Sequence, residues 1–136
     1  MTYLLDTNTC IRYLNGTSDS VRRRLSSVRE SEVALCSVVK AELFFGIFKS
    51  ARPGQNMERF VQFAARFVSV PFDDVAGERY GVIRMAMEQQ GNLIGPNDLM
   101  IASIALAHNM ELVTHNTGEF LRVPGLRVVD WEAENG

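Results

Sequence analysis

Cysteine is scarce in this sequence, with only two in 136 residues. Their number and spacing indicate neither a disulfide framework nor a cysteine-based metal site. Cys36 lies in a short apolar segment and Cys10 in a predicted short helix, so we expect both to be reduced residues that pack inside the fold. A small secreted domain stabilised by disulfides is therefore excluded.

Long hydrophobic runs and a secretion signal are also missing. The N-terminus has no basic segment, and its apolar run is interrupted by Asp6. The longest apolar helix candidate, residues 99–107, is much shorter than the roughly 20 residues that cross a bilayer. Hydrophobic residues make up 46% of the chain, which is enough for one packed core. We therefore expect a single domain, 1–136, located in the cytoplasm and not associated with a membrane.

The net charge of −2 lacks the positive balance typical of proteins that bind nucleic acids. The charge is unevenly distributed, however: residues 1–70 carry ten Lys or Arg and six Asp or Glu, whereas residues 71–136 carry four and ten. Four arginines lie in or just after the second predicted helix: Arg22, Arg23, Arg24 and Arg29. They form either a solvated helix face or a surface that contacts phosphates.

Several catalytic signatures are absent as well. The sequence has no Ser/His/Asp pattern for nucleophilic catalysis and no glycine-rich phosphate loop. A phosphatase or a receiver-type α/β domain built on Asp6 typically needs a lysine late in the chain, and no lysine follows Lys49. His108 ends an apolar helix and His115 follows a strand, so we expect structural roles for both. Acidic residues remain as the candidates for chemistry.

Short apolar strands alternate with amphipathic helices along the whole chain. The predicted strands are 3–5, 33–36, 68–70, 112–114 and 126–129, and the predicted helices are 9–14, 20–28, 37–50, 56–67, 75–90 and 96–108. Such alternation is typical of parallel sheets covered by helices. The predicted fold class is α/β, with three layers, helix, sheet and helix, around a mostly parallel central sheet of about five strands.

Three carboxylates stand out because their neighbours are apolar. Asp6 directly follows the first strand, Glu42 shares a helix face with apolar or small residues, and Asp98 lies in the first turn of an almost entirely apolar helix. Each has a simpler explanation. Asp6 caps the following helix, unless Thr7 or Asn8 does so. Glu42 reaches water at an edge of the fold, and Asp98 is stabilised by the helix dipole.

Considered together, the three carboxylates indicate a metal site. Asp6 and Asp98 lie at element ends that meet at one edge of a doubly wound sheet, where such folds bind ligands. Two carboxylates about 4 Å apart repel each other by roughly 4 kcal/mol at an effective dielectric constant of 20, so a cluster of three strains the fold unless a cation binds. Oxygen ligands of this kind suit Mg²⁺ or Mn²⁺ rather than Zn²⁺.

Five short segments carry a more specific signal. They are Asp6-Thr7-Asn8, Ala41-Glu42-Leu43, Gly95-Pro96-Asn97-Asp98-Leu99-Met100-Ile101-Ala102, Val113-Thr114-His115-Asn116 with Glu119-Phe120, and Val123-Pro124-Gly125-Leu126 with Asp130-Trp131. In this order and spacing they resemble the PIN-domain ribonucleases and, more narrowly, the VapC toxins of bacterial type II toxin–antitoxin pairs. The resemblance covers essentially the whole chain and implies a PIN-like fold.

The resemblance implies a Mg²⁺-dependent endoribonuclease, with Mn²⁺ able to substitute, that cuts structured RNA and inhibits translation. Asp6, Glu42 and Asp98 are then catalytic residues and metal ligands. Some relatives with these motifs cleave initiator tRNA in the anticodon loop, and others cut ribosomal RNA. The alternative is a catalytically weak PIN-like module that binds RNA or protein.

Four further residues are expected to support the carboxylates: Asn8, Thr114, Asn116 and Glu119. The sequence departs from the family here, because Asn116 stands where many PIN domains have an acidic residue. Its amide oxygen can accept a hydrogen bond from a metal-bound water but adds no charge. Glu119 either reaches inward or is a solvated turn residue, and the Thr114 hydroxyl could orient a phosphate or a water.

The implied partner is a VapB-type antitoxin that silences the enzyme. The third predicted helix carries Phe44, Phe45 and Phe48, which is more aromatic surface than the core needs. We expect these residues to bind an amphipathic segment of the antitoxin, whose arginine reaches the acidic pocket and displaces the metal. The resemblance also implies a homodimer, and a larger complex with the antitoxin.

Overall fold

The protein folds as helices flanking a central parallel sheet. The computed structural model describes residues 2–133, whose five strands form one sheet in the order β3-β2-β1-β4-β5. The strands are β1 (Tyr3–Leu5), β2 (Val33–Cys36), β3 (Val68–Val70), β4 (Glu111–Val113) and β5 (Val128–Val129). The helices are α1 (Thr7–Asn15), α2 (Asp19–Ser27), α3 (Ser37–Lys49), α4 (Pro53–Ala64), α5 (Asp74–Gln90), α6 (Pro96–Ala107) and α7 (Thr117–Phe120), with a 3-10 turn at Glu30–Glu32. The predicted fold class is confirmed; Met1 and 134–136 of the predicted domain lie outside the described residues.

β1 lies at the centre of the sheet, which explains its continuous apolar sequence. Leu4 and Leu5 are almost completely buried, and Leu4 pairs with Ala34 of β2 and with Leu112 of β4. A strand covered on both faces has no position for a solvated side chain. The chain leaves β1 for β2 on one side and later returns to β4 on the other. The carboxyl end of β1 is therefore the topological switch point, where sheets of this kind bind ligands.

Several element boundaries differ from the predictions. Asp6, rather than Thr7 or Asn8, caps α1, because its carboxylate accepts a hydrogen bond from the backbone N–H of Thr9 at 2.8 Å. α4 begins at Pro53, three positions before its predicted start, since the fixed φ and missing N–H of proline suit the first helical position.

Two strands are also shorter or shifted. β4 begins at Glu111 and ends at Val113, so Thr114 lies just beyond it. β5 contains only Val128–Val129; Leu126 is buried but lies outside the strand.

The segment after β5 is anchored by a buried tryptophan. Trp131 is 1% exposed, its ring centroid lies 5.4 Å from that of Tyr3, and its backbone oxygen accepts a hydrogen bond from the Ser20 hydroxyl at 2.7 Å. Cys10 and Cys36 are buried free thiols, as predicted.

Within residues 2–133, no helix combines the length and the apolar character needed to cross a membrane.

Candidate active site

Asp6 lies where β1 ends and α1 begins, at the switch point of the sheet. Only 5% of the residue is exposed. Its carboxylate accepts hydrogen bonds from the backbone N–H of Thr9 and from the hydroxyl of Thr114, while the Thr9 hydroxyl donates to the carbonyl of Val113 at 3.3 Å. Burial nevertheless raises the pKa of Asp6 above its ordinary value, and the negative charge of Glu42 adds to the shift. Asp6 therefore caps a helix, and its ionised carboxylate lies at the sheet edge although burial disfavours the charged form.

Thr114 holds Asp6 from the neighbouring strand end. It is completely buried, its hydroxyl donates to Asp6, and the same oxygen accepts the backbone N–H of Asn116 at 3.0 Å. Its own N–H donates to the carbonyl of Val129 at 3.0 Å. The hydroxyl is thus engaged on both sides, and it fixes the orientation of the Asp6 carboxylate.

Glu42 lies on α3 and is half-buried rather than fully buried. Both of its carboxylate oxygens have polar partners: the Thr7 hydroxyl donates to Oε1 at 2.5 Å, and the Asn97 amide donates to Oε2 at 3.3 Å. The structure therefore places Glu42 between the start of α1 and the start of α6. The sequence allowed Glu42 to reach water at an edge of the fold, and the residue is indeed partly exposed. Its hydrogen bonds, however, are made to the neighbours of Asp6 and Asp98.

Asp98 lies in the first turn of α6 and is half-buried. Its pKa is raised from 3.8 to about 6, first because burial disfavours the charged form and then because of the charges of Glu42, Glu119 and Asp6. The helix dipole that favours a carboxylate at this position does not offset these effects. Asp98 is therefore the carboxylate in the site for which ionisation is least favourable.

The site is an anionic group of oxygen ligands. The charged groups that raise the pKa of Asp98 are all carboxylates, and such hard oxygen donors are those that Mg²⁺ and Mn²⁺ prefer. Across residues 2–133, however, no three His, Cys, Asp or Glu side chains converge closely enough to hold one ion together. Mg²⁺ usually binds through one or two carboxylates and keeps several waters. The residues present therefore fit a partly hydrated Mg²⁺ better than a closed protein cage.

The supporting residues predicted after β4 are also near the site. The Asn116 amide donates to Glu119 Oε2 at 3.0 Å, and the charge of Glu119 contributes to the raised pKa of Asp98. Asn116 precedes α7 but makes no side-chain cap hydrogen bond there. Asn8 is exposed on the first turn of α1. The turn thus brings one acidic and one amide side chain to the border of the carboxylate group.

The sequence matches the PIN domain over residues 3–126. The chain belongs to the PIN-domain family. Ribonuclease VapC2 of Rickettsia felis is 39% identical over 133 residues, which cover 97% of this chain and 99% of that protein. The tRNA(fMet)-specific endonuclease VapC of Shigella flexneri is 37% identical over 129 residues, which cover 95% and 97%.

Solved structures agree with this assignment. The crystal structure of VapBC2 from Rickettsia felis bound to a DNA fragment from their promoter has a chain that matches with a TM-score of 0.90 and 38% identity, covering 96% of this chain and 99% of that one. The resemblance to VapC-type PIN domains is therefore confirmed, and so is the PIN-like fold.

An apolar groove borders the carboxylates of this PIN domain. Its walls include Ile11 and Leu14 of α1, Ile47 of α3 and Phe60 of α4. Glu42 also lines the groove, so the groove is continuous with the acidic site. A segment bound in it would therefore lie within reach of the candidate catalytic residues.

The predicted partner-binding phenylalanines differ in their surroundings. Phe44 is 37% exposed and its ring packs edge-on against Phe60, with the centroids 5.1 Å apart. Phe45 and Phe48 are 68% and 69% exposed on α3. Phe44 therefore packs against a wall of the groove, while the other two extend the apolar surface over the solvent side of α3.

Two residues that hold the PIN-domain site together were not singled out from the sequence. Thr7 and Asn97 each bind one oxygen of Glu42. Their partners are 35 and 55 positions away along the chain, so local patterns do not reveal the contacts. The available signal was their position: each is a polar residue directly adjacent to a candidate carboxylate, Asp6 or Asp98.

Proposed function

We propose that this PIN domain is a Mg²⁺-dependent endoribonuclease toxin that cuts structured RNA, inhibits translation and is silenced by a VapB-type antitoxin. The observation that carries the proposal is the group formed by Asp6, Glu42 and Asp98 at the switch point of the sheet, in which the pKa of Asp98 is raised to about 6. The names of the relatives, ribonuclease and tRNA(fMet)-specific endonuclease, support it. We further propose that the protein acts in the cytoplasm, where translation takes place.

The residues have distinct roles in this reaction. Asp6 and Asp98 would hold Mg²⁺, or Mn²⁺ in its place, with Glu42 nearby. When bound, the metal lowers the pKa of an attacking water and stabilises the negative charge that develops on the phosphate. Thr114 orients Asp6, while Thr7 and Asn97 orient Glu42. These hydrogen bonds hold the carboxylates in place before substrate arrives, which reduces the reorganisation that catalysis requires.

Initiator tRNA, cut in its anticodon loop, is the first candidate substrate. The support is the name of the Shigella flexneri relative, which matches over nearly the full length of both chains. The second candidate is ribosomal RNA, which other members of the family cut.

The substrate is identified by mapping cleavage sites in total bacterial RNA. Purified wild-type protein with Mg²⁺ should create new RNA ends confined to one loop of initiator tRNA, whereas Asp98→Asn should create none. Asp74→Asn is the matched control, because Asp74 occupies the first turn of α5 and is exposed. New ends in ribosomal RNA would show that ribosomal RNA, rather than initiator tRNA, is the substrate, and the proposed ribonuclease activity would stand. The absence of new ends with wild-type protein would contradict the proposal.

The proposed antitoxin partner binds in the groove between α1, α3 and α4. An amphipathic segment would place its apolar side chains against Ile11, Ile47 and Phe60, and its arginine would reach Glu42. An arginine is suited to this because its guanidinium pairs with carboxylates through two hydrogen bonds. We further propose that the toxin is a homodimer and forms a larger complex with the antitoxin. Light scattering of the separate and combined chains tests both assemblies.

A catalytically weak module that binds RNA or protein is the second candidate. It is favoured by one observation, namely that no three potential ligands converge on a single point within residues 2–133. This alternative predicts that wild-type protein binds RNA but produces no new ends with either Mg²⁺ or Mn²⁺.

A further inference from the structure

Two ion pairs connect the segment after β5 to the border of the acidic site. His115 Nδ1 lies 2.9 Å from Asp130 Oδ2, and Arg12 Nε lies 3.5 Å from Glu132 Oε1. Asp130 is itself fixed, because its other oxygen accepts the backbone N–H of Glu132 at 2.8 Å. The two carboxylates therefore hold two cationic side chains in defined positions.

The two pairs are asymmetric in their exposure. The side chains of His115 and Arg12 are 59% and 49% exposed, whereas those of Asp130 and Glu132 are 19% and 16% exposed. In the pair Arg84–Glu88, by contrast, the two side chains are about equally exposed. The carboxylates thus lie beneath the cations, and solvent meets the cationic groups.

These two cations lie on chain segments that also position the carboxylate site. His115 directly follows Thr114, whose hydroxyl donates to Asp6. Arg12 lies on α1, the helix that Asp6 caps. Asp130 follows Val129, whose carbonyl accepts the N–H of Thr114. The two cations are therefore tied through neighbouring residues to the elements that hold Asp6.

The same border continues into the basic helix α2. The Arg24 guanidinium lies 5.7 Å from the ring centroid of Trp131, the residue between Asp130 and Glu132. A basic residue of α2 thus packs on the segment that carries the two carboxylates of the ion pairs. An acidic pocket alone repels RNA, so a substrate with one phosphate per nucleotide needs such a cationic approach.

We propose that Arg12 and His115 form a phosphate-binding rim that holds the RNA backbone next to the cleavage site, an inference that rests on the proposed ribonuclease function. Once Nδ1 of His115 faces Asp130, Nε2 remains on the outward side of the ring, and no partner for it is found among residues 2–133. The hydrogen bond to Asp130, together with the negative charges of Asp130 and Glu132, raises the pKa of His115 and so favours the form in which both ring nitrogens donate. Arg12 uses Nε towards Glu132, which leaves its terminal nitrogens for phosphate oxygens.

The rim is tested by the salt dependence of RNA binding. A fluorescent hairpin with the anticodon stem-loop of initiator tRNA is titrated in EDTA at pH 6 with Asp98→Asn protein, which removes cleavage and the titration of Asp98. Adding His115→Gln or Arg12→Gln should each reduce the slope of log affinity against log salt by about 0.7 and weaken binding about fivefold at 0.1 M salt. His115→Lys and Arg12→Lys should retain most of the slope because they keep the charge.

The controls separate phosphate binding from a purely structural role. His108→Gln and Arg84→Gln remove ion pairs with Asp73 and Glu88 on other elements, and they should leave the slope unchanged. The proposal is overturned if the rim variants lower the thermal unfolding midpoint but keep the control slope. It is also overturned if they weaken binding of the antitoxin and leave RNA binding intact. Cleavage of the same hairpin by wild-type protein with Mg²⁺ is measured in parallel, so failure of the ribonuclease function is recognised separately.

Discussion

At the scale of single residues, the carboxylates of the site are stabilised by their hydrogen bonds and destabilised by one another. Asp6 accepts hydrogen bonds from the backbone N–H of Thr9 and from the Thr114 hydroxyl, yet burial raises its pKa and the charge of Glu42 adds to the shift. Asp98 is not capped in this way, and its pKa rises to about 6. A metal ion would reverse the sign of these interactions, so the metal-free protein carries electrostatic strain that the metal-bound protein does not.

This strain gives a prediction for Asp98→Asn in EDTA. Because the folded-state pKa of Asp98 is raised, folding favours the protonated form, and the wild type loses stability as the pH rises from about 4 to about 6. Asparagine removes the ionisation. Urea unfolding should show the variant more stable than the wild type at pH 7.5 by roughly 1 kcal/mol, after allowance for partial exposure. At pH 4 the two should be similar; a large loss of stability at pH 7.5 would instead show that the helix-dipole role dominates.

Thr7 gives a second residue-scale prediction. Thr7→Val keeps the shape of the side chain but removes the donor to Glu42, so Mn²⁺ affinity measured by calorimetry should fall by roughly tenfold or more. Thr7→Ser should retain the affinity, and Thr17→Val, at an exposed position, is the matched control. If Thr7→Val binds Mn²⁺ as the wild type does, Thr7 does not position a metal ligand.

Asn116 gives a third prediction, because it lies where an acidic residue is common in the family. Calorimetry without RNA should show one Mg²⁺ site in the wild type. Asn116→Asp should strengthen binding by about tenfold, since it adds a charge beside Glu119 that only a cation can offset. Asn116→Ala should slow cleavage less than Asp98→Asn does. Two tight sites in the wild type would show that the acidic ligands have been undercounted, and Glu119 would be the first to examine.

The candidate carboxylates could be predicted from the sequence, whereas the residues that hydrogen-bond to Glu42 could not, because they are distant from it along the chain. Asp6, Glu42 and Asp98 were found because a carboxylate among apolar neighbours needs a reason. Thr7 and Asn97 could not be assigned to Glu42 in the same way, since a threonine hydroxyl and an asparagine amide are unremarkable in any local pattern. Only the packing of α1, α3 and α6 brings them together.

At the scale of secondary-structure elements, α3 carries both a proposed catalytic residue and a proposed partner-binding surface. One side supplies Glu42 and Ile47 to the groove, and the other exposes Phe45 and Phe48. Exposed aromatic residues on a helix beside an apolar groove are typical of a surface that a partner covers.

Phe48→Asp should therefore weaken binding of the antitoxin by at least tenfold, because an aspartate loses its hydration when a partner covers it. Intrinsic RNA cleavage should remain, since Phe48 lies outside the carboxylate group. Val82→Asp is the matched control: Val82 is 58% exposed on α5. Unchanged affinity in Phe44→Asp, Phe45→Asp and Phe48→Asp alike would locate the interface elsewhere.

Strands and helices were predicted well where the sequence carries one clear signal, such as an apolar run. They were predicted less well where one residue serves two elements. The apolar runs at 33–36 and 68–70 gave β2 and β3 with the correct bounds. Proline at position 53 both ends one helix and begins the next, so the start of α4 was placed too late. The short turn Glu30–Glu32 has too few residues for a periodic signal.

At the scale of the whole molecule, fold and charge distribution act together. The alternation of strands and helices was sufficient to predict a parallel sheet, and the order of the strands then brings distant carboxylates to one edge. The positive charge of the chain is concentrated in residues 1–70, which include α1, the helix that Asp6 caps. The metal number and the substrate do not follow from these patterns, because they depend on sub-ångström ligand geometry and on surfaces that are shaped for RNA.

Metal-dependent RNA cleavage is the central claim, and restoring activity after metal removal tests it most directly. Wild-type protein freed of antitoxin is treated with EDTA, dialysed into metal-free buffer, and mixed with initiator tRNA. We predict no cleavage in EDTA, full cleavage after addition of Mg²⁺ or Mn²⁺, and none from Asp6→Asn or Asp98→Asn under either condition. Undiminished cleavage in EDTA, or cleavage by the Asp98→Asn variant at the wild-type rate, would contradict the metal-dependent mechanism.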